Sequence, residues 1–142
     1  MRWHGAVPTA VVTYVPAVDP QDAYDQNITL PGVAGRRFVT QYIGGAPDAF
    51  PDRMQAISAA TYLSPKAPPT LIVEPEEDGF VPAEDVFRFA DRARAAGVDI
   101  TVLRLPVVNH YAILANTVAD QAIRTITQGW LEERERFFRP SR

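Results

Sequence analysis

Two stretches decide the fold: T-L-I-V-E-P-E-E-D-G-F-V-P at residues 70–82 and D-I-T-V-L-R-L-P-V-V-N-H at residues 99–110. Each contains a β-branched apolar run of strand length that ends in a turn. Between them, residues 82–96 carry apolar side chains at helical spacing, with acidic residues in the first turn and Gly97 as the stop. The pattern predicts a β-α-β unit in which Asp78 follows the first strand and His110 follows the second.

Asp78 and His110 are the candidate catalytic residues. A right-handed crossover brings the ends of two parallel strands to the same edge of the sheet, which is where open α/β sheets place their chemistry. In that arrangement His110 acts as a general base, while Asp78 fixes its tautomer and stabilises the imidazolium. Each residue alone has a plainer interpretation, since Asp-Gly is a common turn pair and a single histidine after a strand is often a hydrogen-bonded turn residue. Their order and spacing favour the catalytic pair.

The residues before this unit predict a third strand and a cover. Residues 9–15 are β-branched and aromatic between two prolines, which predicts a buried strand. Asp19 is expected to cap a helix that begins at Pro20. Residues 16–66 lack sheet periodicity beyond that strand and hold short helical pieces at 35–43 and 49–59, which predicts an irregular helical insertion over one end of the sheet. Its aromatic residues either anchor the cover or line an acyl pocket, and anchoring is favoured.

The residues after the unit predict one long helix, from Tyr111 to about Phe137. Residues 67–142 therefore run strand, Asp, helix, strand, His, helix, and the whole chain 1–142 is expected to be part of one domain. The side chains expected to face the core from the last helix are Leu114, Val118, Ile123, Ile126, Trp130 and Leu131.

Composition excludes several classes of function. The net charge of -3 and a pI near 5.3 leave no basic surface for nucleic acid. The chain has no cysteine, so disulfides, thiolate metal sites and a cysteine nucleophile are excluded. No apolar stretch approaches the ~20 residues that span a bilayer, and the apolar run between Pro8 and Pro16 has strand length rather than the form of a signal peptide. A cytoplasmic location is expected.

The nucleophile of a triad is missing from the sequence. Ser58, Ser64 and Ser141 all lack the G-x-S-x-G surroundings of a nucleophile elbow, and no glycine-rich loop follows a strand to build an oxyanion hole. The second histidine, His4, has no identifiable partner and is expected at the surface.

The acidic cluster of Glu74, Glu76, Glu77 and Asp78 raises the question of a calcium or magnesium site. Its spacing does not match a calcium loop, so a solvated acidic turn is expected instead. No metal and no cofactor are predicted.

These residues resemble the α/β-hydrolases, in the esterase and lipase branch near the dienelactone-hydrolase-like and prolyl-oligopeptidase-like enzymes. The resemblance rests on I-S-A-A-T-Y-L-S-P-K-A-P-P-T-L-I-V at 57–73, E-E-D-G-F-V-P at 76–82, R-A-A-G-V-D-I-T-V-L-R-L-P at 94–106 and N-H at 109–110. It extends from about Ala6 onward, but over only the later part of the family's domain. It implies a partial α/β-hydrolase fold of about three parallel strands with flanking helices, and a Ser, Asp, His triad in which Asp78 is the acid and His110 the base.

The chain departs from the family pattern in two turns. Glu74-Pro75 stands where the family usually has His-Gly, and Val107-Val108-Asn109 stands where a glycine usually precedes the catalytic histidine. The family's first half, with the nucleophile and the oxyanion glycines, has no counterpart in these residues.

Three hypotheses follow for the function. The leading one is the C-terminal portion of a serine carboxylester hydrolase that acts on small-molecule esters and is inactive alone. The alternative is a non-catalytic α/β module that binds a small ligand or a partner. A third is a split enzyme whose partner chain carries the serine. If the chain is truncated, the sheet edge next to the missing half is unpaired and is expected to promote self-association.

Overall fold

The computed structural model describes residues 8–26, 29–30, 33–113 and 117–138. Its strands and helices in chain order are β1 (Val11–Tyr14), α1 (Pro20–Asp25), β2 (Thr29–Leu30), β3 (Val33–Ala34), α2 (Gly35–Ile43), α3 (Pro51–Ile57), β4 (Thr70–Pro75), α4 (Ala83–Ala95), β5 (Ile100–Leu105) and α5 (Val118–Phe138). Short 3-10 turns occur at Pro47–Ala49, Ala59–Tyr62 and His110–Ile113.

Three of the strands form a parallel sheet in the order β1-β4-β5. Thr70 at the start of the central strand lies opposite Val11 on one side and Ile100 on the other. The two-residue strands β2 and β3 form a separate antiparallel pair. The main sheet with its flanking helices confirms the predicted partial α/β fold.

Helices cover both faces of the sheet because the central strand is apolar on both sides. Ile72 packs on one face against α4, whose Val86, Ala90 and Ala93 are fully buried. Leu71 and Val73 point to the other face, where they pack with Ile123 of α5. The alternation along β4 thus accounts for a layer of helix on each side.

The crossover helix α4 matches its prediction to within one residue at each end. Pro82 precedes the helix, and Glu84 and Asp85 occupy its first turn. Gly97 has a φ of 82°, a left-handed conformation that glycine adopts without steric cost, and it ends the helical segment before β5.

The predicted core face of the last helix was wrong in two places. Val118 is 84% exposed and Ile126 is 48% exposed, whereas Ile123 is buried. The helix meets the sheet along the stripe of Ile123, Thr127 and Trp130, and Val118 lies about 140° around the helix from Ile123. Apolar character alone did not identify the buried stripe. Leu114 lies outside the described residues.

The first strand is shorter and less buried than predicted. β1 covers four residues rather than the seven expected, and none of its side chains is fully buried. It is an edge strand, so only one of its sides has a neighbour among the described strands. Val15 ends it with a φ of 44°, which leaves the β region. β5, at the other edge, is also only partly buried.

The helices of the cover have a small core of their own. Val39, Ile43 and Met54 are buried together and separate from the two clusters of the sheet. Asp19 caps α1 as predicted, since its carboxylate accepts a hydrogen bond from the Gln21 amide at 3.1 Å. α2 has the predicted bounds, while α3 is shorter than predicted.

A buried carboxylate joins this cover to α4. Asp85 is 6% exposed and accepts hydrogen bonds from Gln26 at 2.7 Å and from Arg88 at 2.6 Å. Arg88 also pairs with Asp22 of α1 at 3.1 Å. The cover is thereby fixed beside the loop that precedes α4.

None of the helices in the described ranges is both long enough and apolar enough to cross a membrane.

Candidate active site

The loops that follow β4 and β5 are held side by side by their backbones. The Glu76 amide donates to the Leu105 carbonyl at 3.0 Å, and the Glu77 amide donates to the Val108 carbonyl at 3.3 Å. These bonds continue the pairing of the two strands beyond the sheet. Asp78 and His110, which follow directly, therefore lie at the same edge, as predicted from the sequence.

The two predicted site residues are in direct contact. The distance between His110 Nδ1 and Asp78 Oδ2 is 2.8 Å. The other carboxylate oxygen, Oδ1, accepts hydrogen bonds from the Phe80 amide at 2.7 Å and the Val81 amide at 2.9 Å. The Asp78 side chain is 0% exposed and that of His110 is 21% exposed. The carboxylate is thus buried, fully hydrogen-bonded and fixed in orientation.

This contact determines which ring nitrogen is available for chemistry. An ionised carboxylate can only accept, so Nδ1 must carry the proton in the bond to Asp78. In the neutral ring Nε2 then has the free lone pair, and it has no hydrogen-bond partner among the described residues. An Nε2 with a free lone pair, on a ring that is partly exposed, can act as a general base.

Two aromatic rings fix the plane of the imidazole. Phe80 meets the His110 ring edge to face with centroids 4.9 Å apart, and Tyr111 lies at 5.9 Å in a similar geometry. Phe80 and Tyr111 also contact each other at 5.4 Å. The three rings form one cluster, so the orientation of the histidine depends on packing as well as on Asp78.

The turn before His110 keeps its shape without a glycine. Val107 has a φ of 62° and is 81% exposed. A β-branched residue in the left-handed region is strained by about 1–2 kcal/mol. Val107 therefore takes a conformation that glycine would adopt without steric cost, and the turn before His110 is held with local strain.

Glu74 is a buried residue near the site whose environment the sequence predicts wrongly. The sequence predicts a solvated acidic turn, but Glu74 is the fifth residue of β4 and is 0% exposed. Both of its carboxylate oxygens lack a hydrogen-bond partner among the described residues. Burial, and secondarily the charge of Asp78, raises the pKa of Glu74 to about 8. Every second side chain of a strand points to the same face, so Glu74 lies on the face where Ile72 packs against α4. This alternation was the signal in the sequence that Glu74 could be buried.

The rest of the acidic cluster behaves differently from Glu74. Glu76 and Glu77 are exposed, as a solvated turn requires, while the Asp78 carboxylate is buried against His110. Within the described part of the chain, no group of three or more histidine, aspartate or glutamate residues could hold a metal ion.

Neither described serine contacts the histidine. Ser58 follows the last residue of α3, and the Ser64 hydroxyl accepts a hydrogen bond from the Lys66 amide at 3.2 Å within its own turn. Ser141 and His4 lie outside the described residues.

Comparisons with known proteins identify the fold. No family model matches the chain, and no curated protein matches it. Solved structures do match the chain, and three of them are an esterase, an acetyl ester-xyloside hydrolase and a carbohydrate esterase.

Three of these structures illustrate the match. Esterase 2 of Thermogutta terrifontis, phosphoramylated by tabun, is 17% identical with a TM-score of 0.65 and is matched over 88% of this chain and 41% of its own. The acetyl ester-xyloside bifunctional hydrolase of Caldicellulosiruptor lactoaceticus is 21% identical with a TM-score of 0.67, over 89% and 42%. A truncated carbohydrate esterase from gut microbiota is 22% identical with a TM-score of 0.67, over 89% and 43%.

These matches show an esterase-like hydrolase fold. The identities are too low to carry more than the fold itself. The chain spans less than half the length of each of these solved structures.

The buried carboxyl of Glu74 predicts an unusual dependence of stability on pH. The pKa is raised from 4.5 to about 8 on folding, so between these values the unfolded chain loses a proton that the folded chain keeps. The contribution of Glu74 to the free energy of unfolding must therefore fall as pH rises from about 4.5 to 8, by a few kcal/mol, and be constant outside that range. Urea unfolding of the wild type and of Glu74→Gln at each pH measures the difference.

The control is Glu76→Gln, which removes an exposed carboxyl from the next loop. The difference in unfolding free energy between Glu74→Gln and wild type should grow across this pH range, whereas the Glu76→Gln difference should stay nearly flat. Parallel curves for wild type and Glu74→Gln would show that Glu74 ionises normally in the folded chain.

Proposed function

We propose that this chain provides the acid and the base of a Ser-Asp-His triad in a hydrolase of small carboxylic esters, with the serine supplied by sequence outside this chain. The observation that carries the proposal is the 2.8 Å contact between a buried, doubly amide-bonded Asp78 and a His110 whose Nε2 is free among the described residues. The esterase-like fold of the structural neighbours supports it.

In this proposal each of the two residues has a defined role in the reaction. His110 Nε2 takes the proton from the serine hydroxyl as the serine oxygen bonds to the ester carbonyl carbon. Asp78 stabilises the imidazolium that results and keeps Nε2 directed at the reacting atoms. The imidazolium then gives the proton to the departing alkoxide, which leaves an acyl-enzyme and a free alcohol. Water, activated by the same nitrogen, releases the carboxylic acid and restores the serine.

A second candidate is a non-catalytic α/β module that binds a small ligand or a partner. It is favoured by the lack of a serine hydrogen-bonded to His110 among the described residues. In that case Asp78 and His110 serve only to hold two loops together. A split enzyme, with the serine on a partner chain, shares the chemistry of the first candidate. A cytoplasmic location stays a prediction.

A fusion experiment tests the triad proposal. The amino-terminal part of a structurally similar esterase, including its serine and ending before the equivalent of β1, is joined to residue 8 of this chain. We expect the fusion to hydrolyse p-nitrophenyl butyrate and to react with a fluorophosphonate probe, while the chain alone does neither. Asp78→Asn should lower kcat/KM by about 10⁴-fold at neutral pH because the histidine loses its tautomer, and His110→Ala should lower it at least as much.

Asp91→Asn is the matched control, since the Asp91 side chain is 75% exposed on α4 and should not affect turnover. Far-ultraviolet circular dichroism establishes that each fusion is folded. A folded fusion without activity, or activity that survives His110→Ala, contradicts the triad proposal and favours the binding module. Labelling of the chain alone would show that a serine within it is the nucleophile.

We also propose that the outer edge of β1 mediates self-association. The Val11 amide donates to the carbonyl of the residue before β4, and the Val15 amide donates to a carbonyl of β4. Successive amides of a strand point to opposite edges, so those of Val12 and Tyr14 point to the outer edge. Among the described strands none pairs with that edge. An unpaired edge of this kind is a template for another strand.

Light scattering after gel filtration measures the association. The wild-type chain should form dimers or larger species as its concentration rises. Val12→Pro should reduce this, because it removes an outward amide without removing an inward one. Val12→Ala, which keeps the amide, is the control. A monomer at all concentrations, or equal association of the two variants, would contradict the edge as the contact.

A further inference from the structure

An apolar groove opens beside the Asp78–His110 pair, between the cover and the loop that precedes α4. Its volume is about 300 Å³. The lining residues are Ala17, Pro20, Ala23, Gly35, Phe38, Val39, Tyr42, Ile57, Phe80 and Val81. None of them has a charged side chain.

Two residues join this groove to the catalytic carboxylate. The amides of Phe80 and Val81 both donate to Asp78 Oδ1, and the same two residues form one wall of the groove. The Phe80 ring also meets the His110 ring. The position of the groove relative to the imidazole is therefore set by hydrogen bonds to Asp78 rather than by a flexible connection.

The opposite wall comes from the cover and leaves large aromatic surfaces exposed. Phe38 is 50% exposed and Tyr42 is 68% exposed, and their rings stack with centroids 6.1 Å apart. Phe38 and Tyr42 sit one turn apart on α2, whose adjacent side forms the buried core of the cover with Val39 and Ile43. These two rings are thus held in place by a packed helix and lie outside that core. Phe50, by contrast, packs against the core, as expected of an aromatic that anchors the cover.

We infer that this groove binds an aliphatic group of the ester substrate. The inference rests on the proposed hydrolytic function and defines its substrate class. The groove has the size of the smallest ordinary ligand sites. An apolar lining with no charged group favours a hydrocarbon chain over a sugar or a charged group, whose polar atoms would be buried without partners.

Binding of reaction products by the chain itself tests the inference without turnover. The carboxylates acetate, butyrate and hexanoate, and the alcohols ethanol, butan-1-ol and hexan-1-ol, are titrated while the methyl resonances of Val39 and Val81 are followed by NMR. Each added methylene that enters the groove should lower Kd by about three- to fourfold. The series whose affinity rises more steeply with chain length identifies whether the acyl or the alcohol part of the ester occupies the groove.

Two variants place the binding in the groove. Ala17→Leu fills it from an exposed position, and Ala23→Leu fills it from α1, so at least one is expected to fold normally. Both substitutions should abolish the dependence of Kd on the chain length of the carboxylate or alcohol. Ala95→Leu, an equally small change at an exposed position of α4 away from the groove, should leave it unchanged.

The outcomes separate this inference from the triad proposal. Affinity that rises with chain length in the wild type and not in the filled variants supports binding in the groove, even if the fusion enzyme is inactive. Affinity that does not rise in either series overturns the inference even if the fusion is active. So does a rise that persists in a folded Ala17→Leu or Ala23→Leu chain.

Discussion

The carboxylate of Asp78 is the interaction on which the rest of the site depends. One of its oxygens accepts from the ring nitrogen of His110, and the other accepts from two consecutive amides of the loop that leads into α4. A single buried group thus connects the loop after β5 to the loop after β4, and the latter also forms a wall of the apolar groove. Because groups from both loops bind this carboxylate, its removal would release both.

The sheet makes this convergence possible. Adjacent parallel strands β4 and β5 end at the same edge, and two further backbone bonds hold their loops together past the strand ends. Unfavourable features also lie near this edge of the sheet. Val107 in the loop after β5 adopts a left-handed conformation, and Glu74 near the end of β4 carries a buried carboxyl without a partner in the described residues. Backbone strain and buried ionisable groups of this kind concentrate at functional sites, because surrounding structure must maintain them.

The sequence was sufficient to predict the β-α-β unit and the meeting of Asp78 with His110. Both follow from periodicity and chain order: strands of apolar residues, a helix with acidic first turn, and a glycine stop. The sequence was also sufficient for the α1 cap, because Asp19 before Pro20 is a local signal that needs no tertiary context.

The failures share a cause, which is that burial depends on neighbours. Val118 is apolar but faces away from the stripe of α5 that meets the sheet, and Ile126 lies at the margin of that stripe, half exposed. Glu74 is ionisable but lies on the strand that is covered on both faces. Residue type suggested the wrong environment in each case, because the burial of a side chain is determined by how one element packs on another. The groove was also hidden, since it is formed by residues from α1, α2 and the loop before α4.

The most direct test of the central claim is the tautomer of His110 in the isolated chain. Long-range proton–nitrogen NMR distinguishes the two neutral tautomers, and a spectrum of His4→Gln assigns the signal because the chain has only two histidines. With the ring neutral, we predict a proton on Nδ1 and a bare Nε2 in the wild type. A proton on Nε2 in the wild type would mean that Asp78 does not hold the ring, and the account of the site would be wrong.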